Sequence, residues 1–341
     1  MTTRLLAVLA AVAMVVGAVV ARGRIDDRGG PTGTPLRLVC VTELAAVCDA
    51  VASQAKVKVD ATVEPAATTA DKLTRVGPGQ APPLDGWLTM APWPAIVAEA
   101  RARAGTDPLV KAGGVLARSP VVLAVQTDRE PVLKARCQGD PGWKCLGEVA
   151  GMPWGALPGG NATWGTVKPG HPDVTSAAGL TVMGAATAAF FTDRHDLSST
   201  DLDDEGYQTW LDRLEASVPE RPASPLLTML QRPSAFDAVG ALEAEAGPTL
   251  ATAAGSKPIL LYPSPVTTAD VVLATTGGRA IEMAALAGGD AVRHALAANG
   301  WRVDAVAPVA GIKAGVVLPA TSHLPSPGFL DALRARVAQA G

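Results

Sequence analysis

The segment Lys168–Gly179, KPGHPDVTSAAG, holds the residues best placed to do chemistry in this sequence. Pro169, Gly170 and Pro172 force a tight loop. Asp173, Thr175 and Ser176 then lead into an Ala-rich run. A Ser or Thr at a helix start accepts from the free N–H groups there. Those N–H groups, together with the helix dipole, form a ready site for an anion or carboxylate. Ala177, Ala178 and Gly179 are small enough for a ligand to approach the backbone. The same pattern also describes an ordinary capped helix.

Signals for catalysis are weaker. His171, His195, His294 and His323 are scattered, and no GxSxG, HExxH or P-loop motif is present. His171 beside Asp173 is the best acid–base pair, and a polar loop explains it more simply. No enzyme and no cofactor are expected. Asp201, Asp203, Glu205, Gly206 and Asp212 partly mimic a calcium loop, but Asp212 stands where a bidentate Glu is usual. An acidic helix start accounts for them better, and no metal site is expected. Asn161-Ala162-Thr163 fits a glycosylation sequon by chance. Of the seven tryptophans, Trp93, Trp154 and Trp164 fall in loops and could stack on a ligand.

The elements that must position these residues alternate. LRLVCVT (Leu36–Thr42), Lys56–Val63 and DGWLTM (Asp85–Met90) read as strands. Helical spacing follows each, in Glu43–Gln54, Thr68–Val76 and Pro92–Gly105. Val115–Val125 is a long apolar strand, with Pro120 marking an edge or crossover position. Farther on, Thr175–Thr192, Asp201–Val218, Ile281–Asn299 and Phe329–Ala340 read as helices. Phe236–Ala246, Pro258–Tyr262 and Ala269–Thr275 read as strands. Such alternation predicts an α/β fold with mainly parallel sheets. The 341 residues allow one large or two medium domains, and a formal charge of −3 removes the electrostatic case for nucleic acid.

Two features place the chain outside the cytoplasm. After Arg4, Leu5–Ala21 runs seventeen residues without a charge. It reads as a signal peptide cut after Ala21 or as a retained anchor, since about 20 residues span a bilayer. A Gly- and Pro-rich linker follows. No cysteine directly follows the apolar run, so lipid attachment is not expected. Cys40, Cys48, Cys137 and Cys145 form two local pairs. In an exported chain such pairs suggest disulfides, each closing a loop worth roughly 2–3 kcal/mol. Free buried thiols and a metal site stay open as lesser alternatives.

Several stretches, in order, resemble the type 2 periplasmic solute-binding proteins, the molybdate- and sulfate-binding kind among them. LRLVCVTEL resembles the first strand and the helix start facing the cleft. DGWLTMAPWPAIV resembles the third strand and its polar turn, and RSPVVLAV the strand that crosses between lobes. GTVKPGHPDVTSAAGL is similar to the loop and helix that close on ligand. DAVGALEAEA is similar to the returning strand, and GGDAVRHALAANGWRV to the terminal helix. LPSPGFLDALRARV resembles a tail seen in members that also carry a von Willebrand A domain.

The resemblance covers about residues 35–340 and implies a two-lobed fold with crossing hinge strands. The parts are 1–32 as export segment or anchor with linker, 33–118 with 268–341 as one lobe, and 119–267 as the other. Thr42, Glu43, Thr89 and Trp93 would line the cleft from the first lobe. Arg118 and Ser119 would sit at the crossover. Asp173, Thr175 and Ser176 would close from the second lobe, with Glu243 near the returning strand. Thr42-Glu43 departs from the serine more usual in anion receptors. A Glu there repels a simple oxyanion and leaves room for a cationic or zwitterionic solute. The implied role is a monomeric receptor that delivers a small molecule or ion to the membrane permease of an ABC-type importer. It would be tethered to the membrane if Leu5–Ala21 is not cleaved. The rival is an envelope sensing module that uses the same fold with a protein partner, one with a von Willebrand A domain for example.

Overall fold

The computed structural model describes residues 33–192, 194 and 196–340. The Leu5–Ala21 run, with the export or anchor role read for it, lies outside them. Among the described residues no helix is long and apolar enough to cross a membrane.

The first part alternates as its apolar runs predict: β1 (Leu36–Val41), α1 (Ala45–Gln54), β2 (Val59–Glu64), α2 (Ala66–Thr74), β3 (Gly86–Met90) and α3 (Pro92–Arg103). These strands pair in parallel in the order β2-β1-β3, which requires crossover helices between them. All five residues of β3 are buried, as in a strand covered on both faces.

Then comes β4 (Val110–Val125), sixteen residues long and therefore about 50 Å from end to end. Beyond it lie α4 (Glu130–Cys137), α5 (Trp143–Val149), β5 (Pro169–Gly170), α6 (Ala177–Phe190), α7 (Glu205–Ser217), α8 (Pro225–Gln231), β6 (Ala238–Leu242) and α9 (Glu243–Thr252). The chain ends with β7 (Ile259–Leu261), β8 (Thr268–Thr276), α10 (Ala280–Ala287), α11 (Asp290–Ala298) and α12 (Pro327–Ala340).

The whole sheet path runs β2-β1-β3-β8-β4-β6-β5, with β7 paired to β4. β4 belongs to both halves. From Val110 to Pro120 it pairs with β8, and from Val121 to Val125 with β6 and β7. Pro120 stands at the changeover, where its missing N–H interrupts a ladder that is ending anyway. The strand starts earlier than its apolar run suggests. Lys111–Gly114 is polar and Gly-rich, yet β8 supplies a partner, with register shifts between Ala112 and Ala117.

Other features differ from the sequence reading. The sheet is not mainly parallel, because the long returning strands β4 and β8 pair antiparallel with each other and with β3, β6 and β7. The predicted strand Phe236–Ala246 stops at Leu242, and Glu243 opens α9. The predicted helix Ile281–Asn299 is two helices, α10 and α11, divided at Gly288-Gly289.

α6 anchors the second half. Every residue from Ala177 to Thr187 is buried, as expected of a helix apolar on all sides. It packs between β6 and the C-terminal segment with no space to spare. A Cβ on Gly240 of β6 would meet Val182 Cγ1 at 2.6 Å. One on Gly184 of α6 would meet Leu330 at 2.8 Å and Leu324 at 2.9 Å. The N-terminus of α6 is thus fixed by packing. α12 also packs against α3, where Arg103 reaches Asp331 at 3.0 Å.

The four cysteines form disulfides, Cys40–Cys48 and Cys137–Cys145, and none is free. The first ties β1 to α1 and the second ties α4 to α5.

Candidate functional site

A cavity of about 300 Å³ opens where the two halves of the sheet meet. Thr42 and Glu43, from the turn after β1, form one wall. Pro172, Ser176 and Ala178, at the start of α6, form another. Leu242, Ala244 and Glu245, where β6 gives way to α9, make the third, and Asn299 and Trp301 after α11 complete it.

The N–H groups at the start of α6 are already answered from within the chain. The Ser176 side chain accepts from Gly179 N at 2.9 Å. The Glu43 carboxylate accepts from Ala178 N at 2.6 Å. A carboxylate from the first half of the fold therefore fills the site that the sequence offers to an anionic ligand. Nor does Gly179 admit a ligand: a Cβ there would lie 1.9 Å from the Asp173 carbonyl oxygen. The small residue is needed because the preceding loop itself comes that close. Asp173 turns back on its own loop and accepts from Thr175 N at 2.7 Å and from Thr175 Oγ1 at 2.5 Å. The Thr175 carbonyl accepts from Ala67 N, at the start of α2, at 3.0 Å. Glu43–Ala178 and Thr175–Ala67 are thus two bonds between the halves.

The other sequence-predicted residues are placed differently. Thr89 and Trp93 are fully buried. Trp93 lies beneath Arg334 of α12, whose guanidinium carbon is 5.8 Å from the ring centre. Arg118 holds the C-terminal segment: it donates to the carbonyls of Pro319 at 2.8 Å and Ala320 at 2.9 Å. Ser119 is buried, and its hydroxyl accepts from Ala244 N at 2.9 Å, which caps α9. Glu243 is 0 % exposed. Arg302 grips it with Nε at 2.7 Å and a terminal nitrogen at 2.8 Å. Lys313 N donates to it at 3.1 Å and the Tyr262 hydroxyl donates as well. Burial, followed by the Glu243 carboxylate, pushes the Tyr262 hydroxyl pKa far up. With four donors on one buried carboxylate, Glu243 is spent on structure.

The loop tryptophans are engaged too. Trp154 Nε1 donates to Asp237 at 3.1 Å, and the Arg129 guanidinium sits 3.7 Å over the Trp164 ring. His171 is buried and faces Glu215 at 3.0 Å, not Asp173. Its other ring nitrogen is 2.9 Å from the Pro172 carbonyl, which steadies the loop before α6. Asp201 caps the turn Ser199–Asp203. Among the described residues no group of His, Cys, Asp and Glu is arranged to hold a metal.

Of the sequence-predicted residues, Thr42, Glu43 and Ser176 thus come together at the cavity. Glu245, Asn299 and Trp301 were missed. Glu245 was hidden because EAEA read as strand, whereas two acids opening a helix are a first-turn signal. In the structure Glu245 is largely buried and accepts from the Ser224 hydroxyl at 2.7 Å. Burial, and then the Glu43 charge, raise its pKa above the ordinary carboxylate range.

No family model matches the sequence, and no curated protein matches it. Solved structures do match its fold. A periplasmic thiamin-binding protein superposes with a TM-score of 0.58 at 12% identity, over 91% of this chain and 97% of that one. Iron-bound HitA from Pseudomonas aeruginosa gives 0.56 at 16%, over 90% and 100%. The ferric-binding protein from Campylobacter jejuni gives 0.55 at 10%, over 89% and 96%. The chain has the type 2 periplasmic-binding fold, and the resemblance read from the order of its motifs is borne out at the level of fold.

Proposed function

We propose that the chain is an extracytoplasmic solute-binding protein that captures a small polar ligand between two lobes, 33–118 with 268–341 and 119–267. It would pass that ligand to the permease of an ABC-type importer. The observation that carries this reading is the cavity of about 300 Å³, walled by segments from both halves and bearing polar side chains from each. Contacts made only when such walls approach shift the population towards a closed form. Two of the matched structures are named as thiamin- and ferric-binding proteins and a third is iron-bound, and the two disulfides suit an oxidising compartment. A thermal-shift screen of the mature body against anions, amino acids, amines, sugars and metals tests the proposal, with solution scattering beside it. Stabilisation and compaction by one ligand class is the expected result. No stabilisation by any class, with an unchanged scattering profile, overturns it.

A second reading has its own support. Glu43 and Thr175 bond directly across the cleft, to Ala178 N and Ala67 N. On the outer face, a depression of about 610 Å³ lies between α1 and α10–α11, lined by Val51, Val57, Leu286 and Val292 among others. Ile281 beside it is 86% exposed. This favours an envelope module that stays closed and meets a protein through that face. A scattering profile that no ligand changes, with a partner retained on the wild-type body and lost from Ile281→Asp, is the outcome that selects it.

A further inference from the structure

The cavity is charged on one side of the ledger only. Glu43 and Glu245 are its ionisable side chains, and no Lys, Arg or His lines it among the described residues. Cations on neighbouring segments are committed elsewhere, Arg302 to Glu243 and Arg221 to Glu215. Two carboxylates that face one cleft without a counter-ion repel each other, and the more buried of them, Glu245, also loses hydration. Glu43 is partly answered by Ala178 N and by the Thr42 hydroxyl at 3.1 Å. Glu245 has only the Ser224 hydroxyl. The raised pKa of Glu245 has the same two physical causes, burial and the Glu43 charge.

The remaining wall groups point the same way. Asn299 Nδ2 donates to the Ala295 carbonyl at 2.8 Å, which leaves its side-chain oxygen to accept. Trp301 closes the wall as a buried, uncharged side chain that adds no positive group to the cleft. At about 30 Å³ for each water in the liquid, the volume suits a ligand of roughly ten non-hydrogen atoms.

We infer that the ligand class of this cleft is a small organic cation, an ammonium or guanidinium compound, held between Glu43 and Glu245. This rests on the receptor reading above. It also gives Glu43 a second task, because the carboxylate that meets the ligand is the one that bonds across to α6. Charge recognition and closure then act through one side chain.

Calorimetry and thermal shift on the full mature chain, with agmatine, putrescine and choline set against acetate, sulfate and glucose, test the inference. At least one cation should bind. Its affinity should weaken at least about tenfold in Glu245→Gln, with the circular dichroism unchanged, and should fall with added salt. At pH near 4.5, where the raised pKa keeps Glu245 mostly protonated, binding should also release protons, because a cation favours the charged form of Glu245. Calorimetry in buffers of different ionisation enthalpy reads that release in the wild-type protein, whether or not the variant folds. Binding of sulfate, acetate or glucose alone overturns the cation assignment and leaves the receptor standing. So does cation binding that Glu245→Gln leaves intact and that releases no protons. Silence from every probe class, with an unchanged scattering profile, removes the receptor reading itself.

Discussion

Glu243 and Glu245 stand two residues apart in the first turn of α9, and the fold treats them oppositely. Glu243 points into a closed network with Arg302, Tyr262 and the Lys313 N–H. Glu245 faces the cavity with one hydroxyl for company. The network that completes Glu243 pins the segment after α11 against α9, so it builds the wall. The incomplete surroundings of Glu245 leave electrostatic demand at the place where that wall meets open space. A buried carboxylate that the protein has fully answered is architecture. One that it has left short of partners is where an outside partner can earn affinity.

This contrast can be broken at its strong end first. Glu243→Ala strands Arg302, and loss of one member of a buried ion pair costs about 3–5 kcal/mol. Urea unfolding should show a loss of that size, and a loss below about 1 kcal/mol would demote the network to decoration. Replacing Cys40 and Cys48 by Ala should cost roughly 2–3 kcal/mol in the same assay, by release of the closed loop in the unfolded chain. Glu43→Ala removes a charged acceptor from the α6 N-terminus and should cost about 1–2 kcal/mol. Its sharper readout is scattering, where the ligand-free protein should expand.

The smallest effects are set by pH and have opposite signs. The Arg37 guanidinium, bonded to Asp85 at 2.7 and 3.2 Å, holds that carboxyl below its ordinary 3.8. Its contribution is therefore present above 3.8 and is lost as pH falls through the lower folded value. Asp85→Asn should cost about 1 kcal/mol at neutral pH and nothing in strong acid. The Glu245 pKa is raised above its ordinary 4.5. Ionised Glu245 therefore costs stability above the folded value, and the cost vanishes as pH falls to 4.5 and below. Glu245→Gln should match or slightly exceed the wild type in stability at neutral pH and lose that advantage in acid. An advantage that grew in acid would contradict the assignment.

Much of the scaffold was legible because its rules are local. β1 and β3 are short apolar runs of the kind that doubly covered parallel strands require, and Pro120 marked where β4 changes partners. α8 was missed although Ser224 followed by Pro225 is a sound start signal, a cap and then Pro in the first turn. The site was less legible because its meaning is set by distant partners. Arg302, which turns Glu243 from ligand candidate into framework, lies 59 positions along the chain. Ala178, which receives Glu43, lies 135 positions away. Residue type gave both acids the same standing, and only tertiary contacts separate them.

The disulfides carry a consequence for how the molecule is made. Four cysteines allow three pairings, and here each cysteine joins its next neighbour in the chain, eight positions on. If the chain is exported as proposed, amino end first, it presents Cys40 and Cys48 long before Cys137. Oxidation in order of emergence then produces the native pairing by default. Slow thiol–disulfide reshuffling, which takes seconds to hours, is not needed, so maturation of this fold can proceed without an isomerase.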